Sequence, residues 1–552
     1  MKYLTKVSMV GIAVLAAVVL VASGTAIAQN IRGAATGPTK AKGYSHPEQS
    51  LTMKDVKPAD NMYPVLQRPE QLKQAEAKLA ALEKKTGKKP NIFIFLMDDT
   101  GYMDPGFNGG GVAVGNATPN FDKFAYEGLV LTSAYTTPSC SPTRSTIHTG
   151  QNPLHHGILR PPMYGESGGL DGAITLPMLS DMYTEWRDIY FNPEVALSPE
   201  RFKMMEEDKF NHTEVHCTAA NKKDCESGRL IDLDYIKDLD QHWLQVSLDF
   251  LDKVKGSKQP WYLYHATRGC HFDNYPNDEY AGKSMARTVY SDCFVEMDDI
   301  FGKLMAKLEA NGELENTIVL MLGGDNGPEC EVPPHARTPF RGCKGSHWEG
   351  GVRGSVFAYW KGMIEPGRAD GLFDFADILP TVMHLAGVPG AQLAKEFPKD
   401  RYVDGVDQAS FLIADDHLSN RRSRPYTLNQ YFAGMRVDEF KYIWTGEIED
   451  GVVQRGDWGG FSGSIFTESG GAIVFNLYRD PQEDVSIGVR HLPMAIPVIG
   501  TAGWYMKELM RYPPQFKIGF LSNNPPMYNL APKAREMMQK TMEGRGLGRA
   551  NP

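Results

Sequence analysis

Two uninterrupted apolar runs set the fold class before any motif is considered. Residues 91–97, Asn-Ile-Phe-Ile-Phe-Leu-Met, lie between Pro90 and Asp98, and residues 317–322, Thr-Ile-Val-Leu-Met-Leu, lead into Gly323-Gly324-Asp325-Asn326. A half-solvated strand alternates polar with apolar residues. A strand with no polar alternate has both faces covered, as in a parallel sheet between helical layers. Residues 261–264, Trp-Tyr-Leu-Tyr, make a third, shorter run. Residues 69–85, 290–311 and 374–386 carry helical composition or periodicity and are stopped by Gly87, Gly312 and Gly387. Buried strands alternating with helices predict an α/β domain. In such sheets ligands collect beyond the carboxyl ends of the strands, so polar residues directly after these runs are the first candidates for chemistry. After about residue 416 the texture changes to short aromatic strands, 440–444 and 473–478, between Gly and Asp turns. That predicts a smaller antiparallel subdomain.

The chain has 552 residues, 42% of them hydrophobic, and a net charge of -9. The length is ample for a large core. The acidic balance excludes a basic nucleic-acid-binding surface and suits cation binding. At the N-terminus, Lys2 and Lys6 precede an apolar run over residues 7–22, and Ala26-Ile27-Ala28 offers a small-residue cleavage site before Gln29. This predicts a signal peptide over residues 1–28, with an uncleaved anchor as the alternative. Cleavage would leave a periplasmic or secreted chain with no stable membrane association. Seven cysteines follow: Cys140, Cys217, Cys225, Cys270, Cys293, Cys330 and Cys343. An odd count leaves at least one thiol over, and we assign that thiol to Cys140. Cys217 with Cys225, and Cys330 with Cys343, are close enough in sequence to pair, although sequence does not fix connectivity.

Asp98-Asp99 follows the first run and Asp325-Asn326 follows the second. Adjacent carboxylates repel, and burying them calls for a cation. An all-oxygen ligand set favours Ca2+, with Mg2+ the alternative, over zinc. The sharpest signal is residues 140–150, Cys-Ser-Pro-Thr-Arg-Ser-Thr-Ile-His-Thr-Gly. Pro142 suits a first helical turn, which places Cys140 at a helix N-terminus, where backbone N–H groups favour anions. Arg144, one turn on, can face the same side. A nucleophile and a permanent cation are thereby presented to an oxyanion. His148, His155 and His156 nearby read as supporting rather than catalytic.

This segment resembles the sulfatase signature Cys-x-Pro-x-Arg followed by Thr-Gly, within the alkaline-phosphatase-like superfamily. Other segments add to the resemblance. Residues 98–102 and 324–327 are similar to the family's two metal motifs, and residues 118–122 to the approach to the nucleophile. Residues 344–353 are similar to its sulfate-contacting lysine segment, 375–381 to a structural segment, and 477–483 to its C-terminal hallmark. The resemblance implies a mixed sheet flanked by helices and a smaller C-terminal antiparallel subdomain. It implies that a maturation system converts Cys140 to formylglycine. It assigns catalytic roles to Cys140, Arg144, His271 and Lys344, with Asp98, Asp99, Cys140, Asp325 and Asn326 around the metal. The implied reaction is hydrolysis of a small-molecule sulfate ester. One hydroxyl of the hydrated aldehyde attacks sulfur, displacing the alcohol and leaving a covalent sulfate; the other then loses its proton, and the re-formed carbonyl expels sulfate. The implied layout is a signal peptide over 1–28, an arm and helix over 29–89, a catalytic domain over 90–415, and a C-terminal subdomain and tail over 416–552.

One departure stands out. The family carries a Gly-Lys-x-His element between the nucleophile helix and the histidine strand, and residues 151–260 contain nothing like it. After Leu176-Pro177-Met178-Leu179 the text passes directly to Ser180-Asp181-Met182-Tyr183, as though a strand and its active-site loop had been excised. Two expectations follow: a sheet strand is missing, and turnover is impaired unless a residue such as Lys203 or His212 substitutes. A phosphonate monoester hydrolase or phosphodiesterase of the same superfamily, and a non-catalytic vestigial sulfatase fold, stay open as rival readings. Arg268, Tyr275 and Trp458 are candidate pocket residues.

Overall fold

The computed structural model describes residues 41–42, 55–159, 213–217, 225–230, 233–271, 274–329, 338–388, 390–447, 465–467, 472–488 and 492–514. The expected signal peptide, Lys203, His212, Trp458 and the tail after 514 lie outside them. The main described elements are, in chain order, α1 (Pro69–Thr86), β1 (Asn91–Leu96), α2 (Pro119–Tyr126), β2 (Leu129–Tyr135), α3 (Cys140–Thr149), α4 (Leu233–Lys253), β3 (Tyr262–Ala266), α5 (Val289–Ala310), β4 (Thr317–Gly323), β5 (Arg353–Tyr359), β6 (Gly367–Ala369), α6 (Ile378–Leu385), β7 (Ser423–Leu428), β8 (Tyr431–Val437), β9 (Phe440–Ile443), β10 (Ile473–Asn476) and α7 (Leu492–Arg511).

Every residue of β1 and of β4 is buried, as the unbroken apolar runs require. The alternation is one of direction: Phe93, Phe95 and Met97 join one core, and Ile92, Ile94 and Leu96 the other. The first core packs α2, α4 and α5 against the sheet. Phe301 of α5 sits at its centre, 5.3 Å from Phe95, 5.1 Å from Phe121 and 5.9 Å from Phe357 by ring centroids. Burying one such ring is worth about 1.5–3 kcal/mol. The opposite core takes Ala75 and Leu82 of α1, Ile147 of α3 and Ile378 and Leu385 of α6.

The main sheet is mixed. Its order is Ala41–Lys42, β6, β2, β5, β4, β1, β3, with Phe373–Asp374 joined to the end of β2. β1 runs parallel to β3 and β4, while β5 is antiparallel to both β4 and β2. The carboxyl ends of β1, β2, β3 and β4 therefore gather at one rim, together with the amino end of β5. Each segment carrying a candidate site residue enters or leaves the sheet at that rim.

β3 differs from the expectation of a strand covered on both sides. It begins at Tyr262 rather than Trp261, and Tyr262 is 45% exposed. It closes the sheet, and among the described residues no strand pairs with its far edge. The thiol assignment is also corrected: Cys140 is free, but so are Cys270 and Cys293, both buried in the first core, where apolar neighbours suit an unpaired thiol. Cys343 is disulfide-bonded, and its expected partner Cys330 lies outside the described residues. Cys217 and Cys225 are register partners across two short antiparallel strands.

β7, β8, β9 and β10 form a separate antiparallel sheet. α7 lies on it through Val498, Ala502 and Tyr505, which pack with Met435, Val437 and Tyr442. No helix among the described residues is long and apolar enough to cross a membrane.

Candidate active site

β1 delivers Asp98 and Asp99 to the rim, 3% and 1% exposed. The backbone of Asp99 is left-handed, with φ 49°. Aspartate is among the few side chains that tolerate this conformation, and its cost of order 1 kcal/mol is borne where geometry matters. The Asp99 N–H donates to Asp325 Oδ1 at 3.3 Å, tying the ends of β1 and β4 together. Asp325 and Asn326 are fully buried. Asn326 Nδ2 donates to Asp99 Oδ1 at 2.7 Å and to the Gly327 carbonyl at 2.8 Å, which leaves its Oδ1 facing elsewhere.

α3 begins at Cys140, five residues beyond the end of β2. The turn before it is fixed by Thr143: its Oγ1 accepts from the Thr137 N–H at 3.0 Å and lies 2.7 Å from Thr137 Oγ1. Gly150, at φ 65°, closes the helix by donating to the Thr146 carbonyl. Arg144 points back to the rim. Its Nη2 lies 3.1 Å from Asp98 Oδ2 and its Nε 2.8 Å from Asp325 Oδ2. Lys344, on the segment that precedes β5, reaches Asp99 Oδ2 at 2.5 Å. His271, beyond β3, has its Nε2 3.3 Å from Lys344 Nζ and 3.5 Å from Asp99 Oδ2.

All eight candidate residues thus converge on one rim. Ligand atoms of Asp98, Asp99 and Asp325 lie within 4.8 Å of one another, as do those of Asp98, Cys140 and His271. The residues fit a hard divalent cation. Asp98 Oδ1 and Asn326 Oδ1 are buried oxygens with no hydrogen-bond partner, and the donor set is carboxylate and amide oxygen. An orphaned buried oxygen costs about 1–3 kcal/mol, which a metal ligand position would recover.

The electrostatics divide the carboxylates. Burial pushes Asp98 up, more than Arg144 pulls it down. Burial and the neighbouring Asp98 raise Asp325 to about 7 against the pull of Arg144. Asp99 goes the other way: Lys344 and His271 outweigh its burial and hold it below the ordinary carboxylate range. Burial carries the Cys140 thiol to about 12, with Lys344 opposing and the three aspartates adding to the rise. As a plain cysteine it would stay protonated at neutral pH, a poor nucleophile.

The sequence did not point to Glu329, 3.8 Å from Lys344, or to Tyr264, a β3 residue whose ring packs 4.8 Å from that of His148. His155 and His156 face away from the rim. His155 Nδ1 bonds Asp404 Oδ2 at 2.7 Å, and His156 Nε2 bonds Thr146 Oγ1 at 3.2 Å. Arg268, read as a pocket candidate together with Tyr275, is 2% exposed, its guanidinium 5.6 Å from the centre of the Tyr275 ring. Its backbone N–H donates to Asp240 Oδ1 of α4 at 2.8 Å.

The comparisons with known proteins agree with one another. Residues 90–388 match the sulfatase family model, and residues 433–510 match the sulfatase AslA C-terminal domain. Human arylsulfatase A is 29% identical over 443 residues, covering 72% of this chain and 83% of its own length. N-acetylgalactosamine-6-sulfatase of Rattus norvegicus is 28% identical over 389 residues, covering 64% and 72%. The crystal structure of the PsFucS1 sulfatase from Pseudoalteromonas sp. superposes with a TM-score of 0.74 at 30% identity, over 84% of this chain and 99% of that one. A family match across more than half the chain and a fold shared with a sulfatase of known structure together establish that this chain belongs to the sulfatase family of sulfuric ester hydrolases.

Proposed function

We propose that the chain hydrolyses an organic sulfate monoester using formylglycine derived from Cys140 beside a bound Ca2+, with Mg2+ the alternative. The observation that carries this is the arrangement of Asp98, Asp99 and Asp325 within 4.8 Å of one another, with Arg144 and Lys344 ion-paired to them. Asp98, Asp99, Asp325 and Asn326 would hold the cation, which supplies charge to bind and polarise sulfuryl oxygens. Hydrated formylglycine supplies two hydroxyls on one carbon, which a serine lacks. Arg144 and Lys344 then face the sulfuryl oxygens as fixed donors and stabilise the charge that builds on them. His271, 17% exposed at its side chain, would hand a proton to the leaving ester oxygen. Its neighbours Lys344 and Asp99 orient the ring. The layout of domains and the export signal over residues 1–28 belong to the same reading, and so does the maturation system that must reach Cys140.

We further infer that turnover is impaired. The family's Lys-x-His element has no counterpart in the text of residues 151–260, and each lost donor to a sulfuryl oxygen costs about 10²–10³-fold in rate. The test pairs mass spectrometry of the Cys140 peptide from the native host with sulfate release from an aryl sulfate. Formylglycine with slow, measurable turnover is expected. An unmodified Cys140 in an active enzyme would overturn the mechanism. Turnover at the level of the relatives would overturn the impairment and point to Lys203 or His212 as a substitute.

A further inference from the structure

Lys344 rides on residues 341–349, Arg-Gly-Cys-Lys-Gly-Ser-His-Trp-Glu, a stretch with no strand of its own and with Gly342 and Gly345 at φ 82° and 86°. Such a stretch holds one shape only if its surroundings impose it. On the catalytic side two hydrogen bonds do so: the Lys344 N–H donates to the Pro328 carbonyl at 2.9 Å, and the Gly345 N–H to the Pro138 carbonyl at 2.6 Å. The disulfide at Cys343 tethers the segment beside Lys344, and further grip comes from the C-terminal subdomain. Lys441 of β9, wholly buried, donates to the His347 carbonyl at 2.9 Å and pairs with Glu349 at 3.2 Å and Glu483 at 2.6 Å. Glu483 accepts from the Glu349 N–H at 2.7 Å, and its own carbonyl accepts from Arg341 Nη1 at 2.7 Å. The Arg341 guanidinium lies 4.0 Å over the Trp348 ring. Glu349 is locked from the other side by the hydroxyls of Tyr135, at 2.6 Å, and Tyr426, at 2.8 Å. Both ends of the segment and its middle are therefore anchored, and Lys441 and Glu483 do so without touching any of the candidate site residues.

We propose that Lys441 and Glu483 are positioning residues for Lys344: the C-terminal subdomain sets where the Lys344 ammonium stands by clamping residues 341–349 through a buried Lys441–Glu349–Glu483 cluster. The proposal rests on the reading of Lys344 as a sulfate-contacting cation. It accounts for a fully buried lysine between two fully buried glutamates, an arrangement that hydrophobic residues of similar volume often replace without loss of stability. It also gives the second family domain, matched over 433–510, a part in the chemistry of the first.

The test is a double-mutant cycle read as affinity for inorganic sulfate by calorimetry on the full-length protein, so that it needs no turnover. Lys344→Ala is expected to weaken sulfate binding by roughly tenfold or more, the range of a lost charge-assisted contact. Lys441→Met should weaken it almost as much, because a 1 Å displacement of a binding group is costly. In the Lys344→Ala background, Lys441→Met should change affinity by less than about threefold. Glu483→Gln keeps an acceptor for the Glu349 N–H and removes one charge. It carries the same test with a smaller loss, about three- to tenfold, if Lys441→Met does not melt cooperatively. If Lys344→Ala leaves sulfate affinity intact, the reading of Lys344 falls and the proposal falls with it. If Lys344→Ala weakens binding while the Lys441 and Glu483 variants cost the same in both backgrounds, that reading stands and the positioning role is overturned.

Discussion

Arg144 is the cation on which two of the three buried carboxylates lean, and replacing it by methionine tests the electrostatic design of the rim. Its side chain is 12% exposed, and the Asp98 and Asp325 carboxylates that it touches are 5% and 0% exposed, so bulk water screens the pairs little. Methionine keeps an unbranched apolar stem and removes the guanidinium. Breaking a buried pair by deleting one partner typically costs about 3–5 kcal/mol, because the abandoned charge stays in a poor solvent. Here two carboxylates lose the same partner, while Lys344 remains on Asp99. A loss of about 3–5 kcal/mol is therefore expected in EDTA, a drop of many degrees in melting temperature even at a few degrees per kcal/mol. A divalent cation bound by the same oxygens supplies the missing charge. At a hundred times its Kd it returns about 2.7 kcal/mol to any variant that binds it. With the guanidinium no longer repelling it, the ion should bind Arg144→Met more tightly than wild type. The measurement is the rise in melting temperature between EDTA and excess CaCl2, which should be larger for Arg144→Met. On the proposed role of Arg144 as a donor to the sulfuryl oxygen, aryl-sulfate turnover should stay about 10²–10³-fold down in calcium. Equal melting of the two proteins in EDTA, or equal calcium increments, would refute the reasoning.

Three further outcomes are expected. His271→Ala should lower kcat more for alkyl sulfates than for aryl sulfates, because poor leaving groups need the proton most; equal losses across a leaving-group series would remove its role as an acid. His265 is stacked 5.3 Å from Phe95, and burial lowers its pKa to about 4 from an ordinary 6.5. It contributes no penalty above the unfolded value and costs about 1.4 kcal/mol for each pH unit below it, down to about pH 4. His265→Phe gives up the 2.8 Å contact with Ser247 but should flatten the fall in stability between pH 6.5 and 5 by about 2 kcal/mol; an unchanged slope in thermal melts would contradict this. Tyr505→Phe removes the 2.9 Å hydrogen bond from α7 to Asp404 and should cost about 1–2 kcal/mol of stability with turnover unchanged, checked by melts and an aryl-sulfate assay side by side.

The parts of this architecture that were legible in the sequence are those in which one residue type has one physical excuse. The runs ending at Met97 and Leu322 have no polar alternates because both faces of β1 and β4 are packed, and the acids after them have nowhere to go but the rim. The start of α3 was legible for the same reason: Pro142, Arg144 and Gly150 each serve one structural purpose. β5 was not, since its Arg-Gly-Ser opening reads as a turn and only antiparallel pairing with β2 and β4 makes it a central strand. α7 was missed because Pro497, Gly500 and Gly503 are poor helix formers, and its stability comes from the tyrosines and apolar groups under it. Lys441 gave no signal at all. A lysine in a short strand ordinarily faces water, and its two glutamate partners lie 92 and 42 positions away in the chain.

The same dispersal governs how the molecule comes together. Lys344 and Asp99 are 245 positions apart, and Asp325 and Arg144 are 181 apart. Contacts of such range must pay loop-closure entropy before they return anything, so they form late, after the local helices and the hydrophobic collapse. The rim therefore closes no earlier than the pairing of β1 with β4, whose partners are similarly far apart in the chain. A chain stalled just short of completion would have its secondary structure and much of its apolar core while its carboxylates were still unmatched, and in that state its solubility would depend most on added cations.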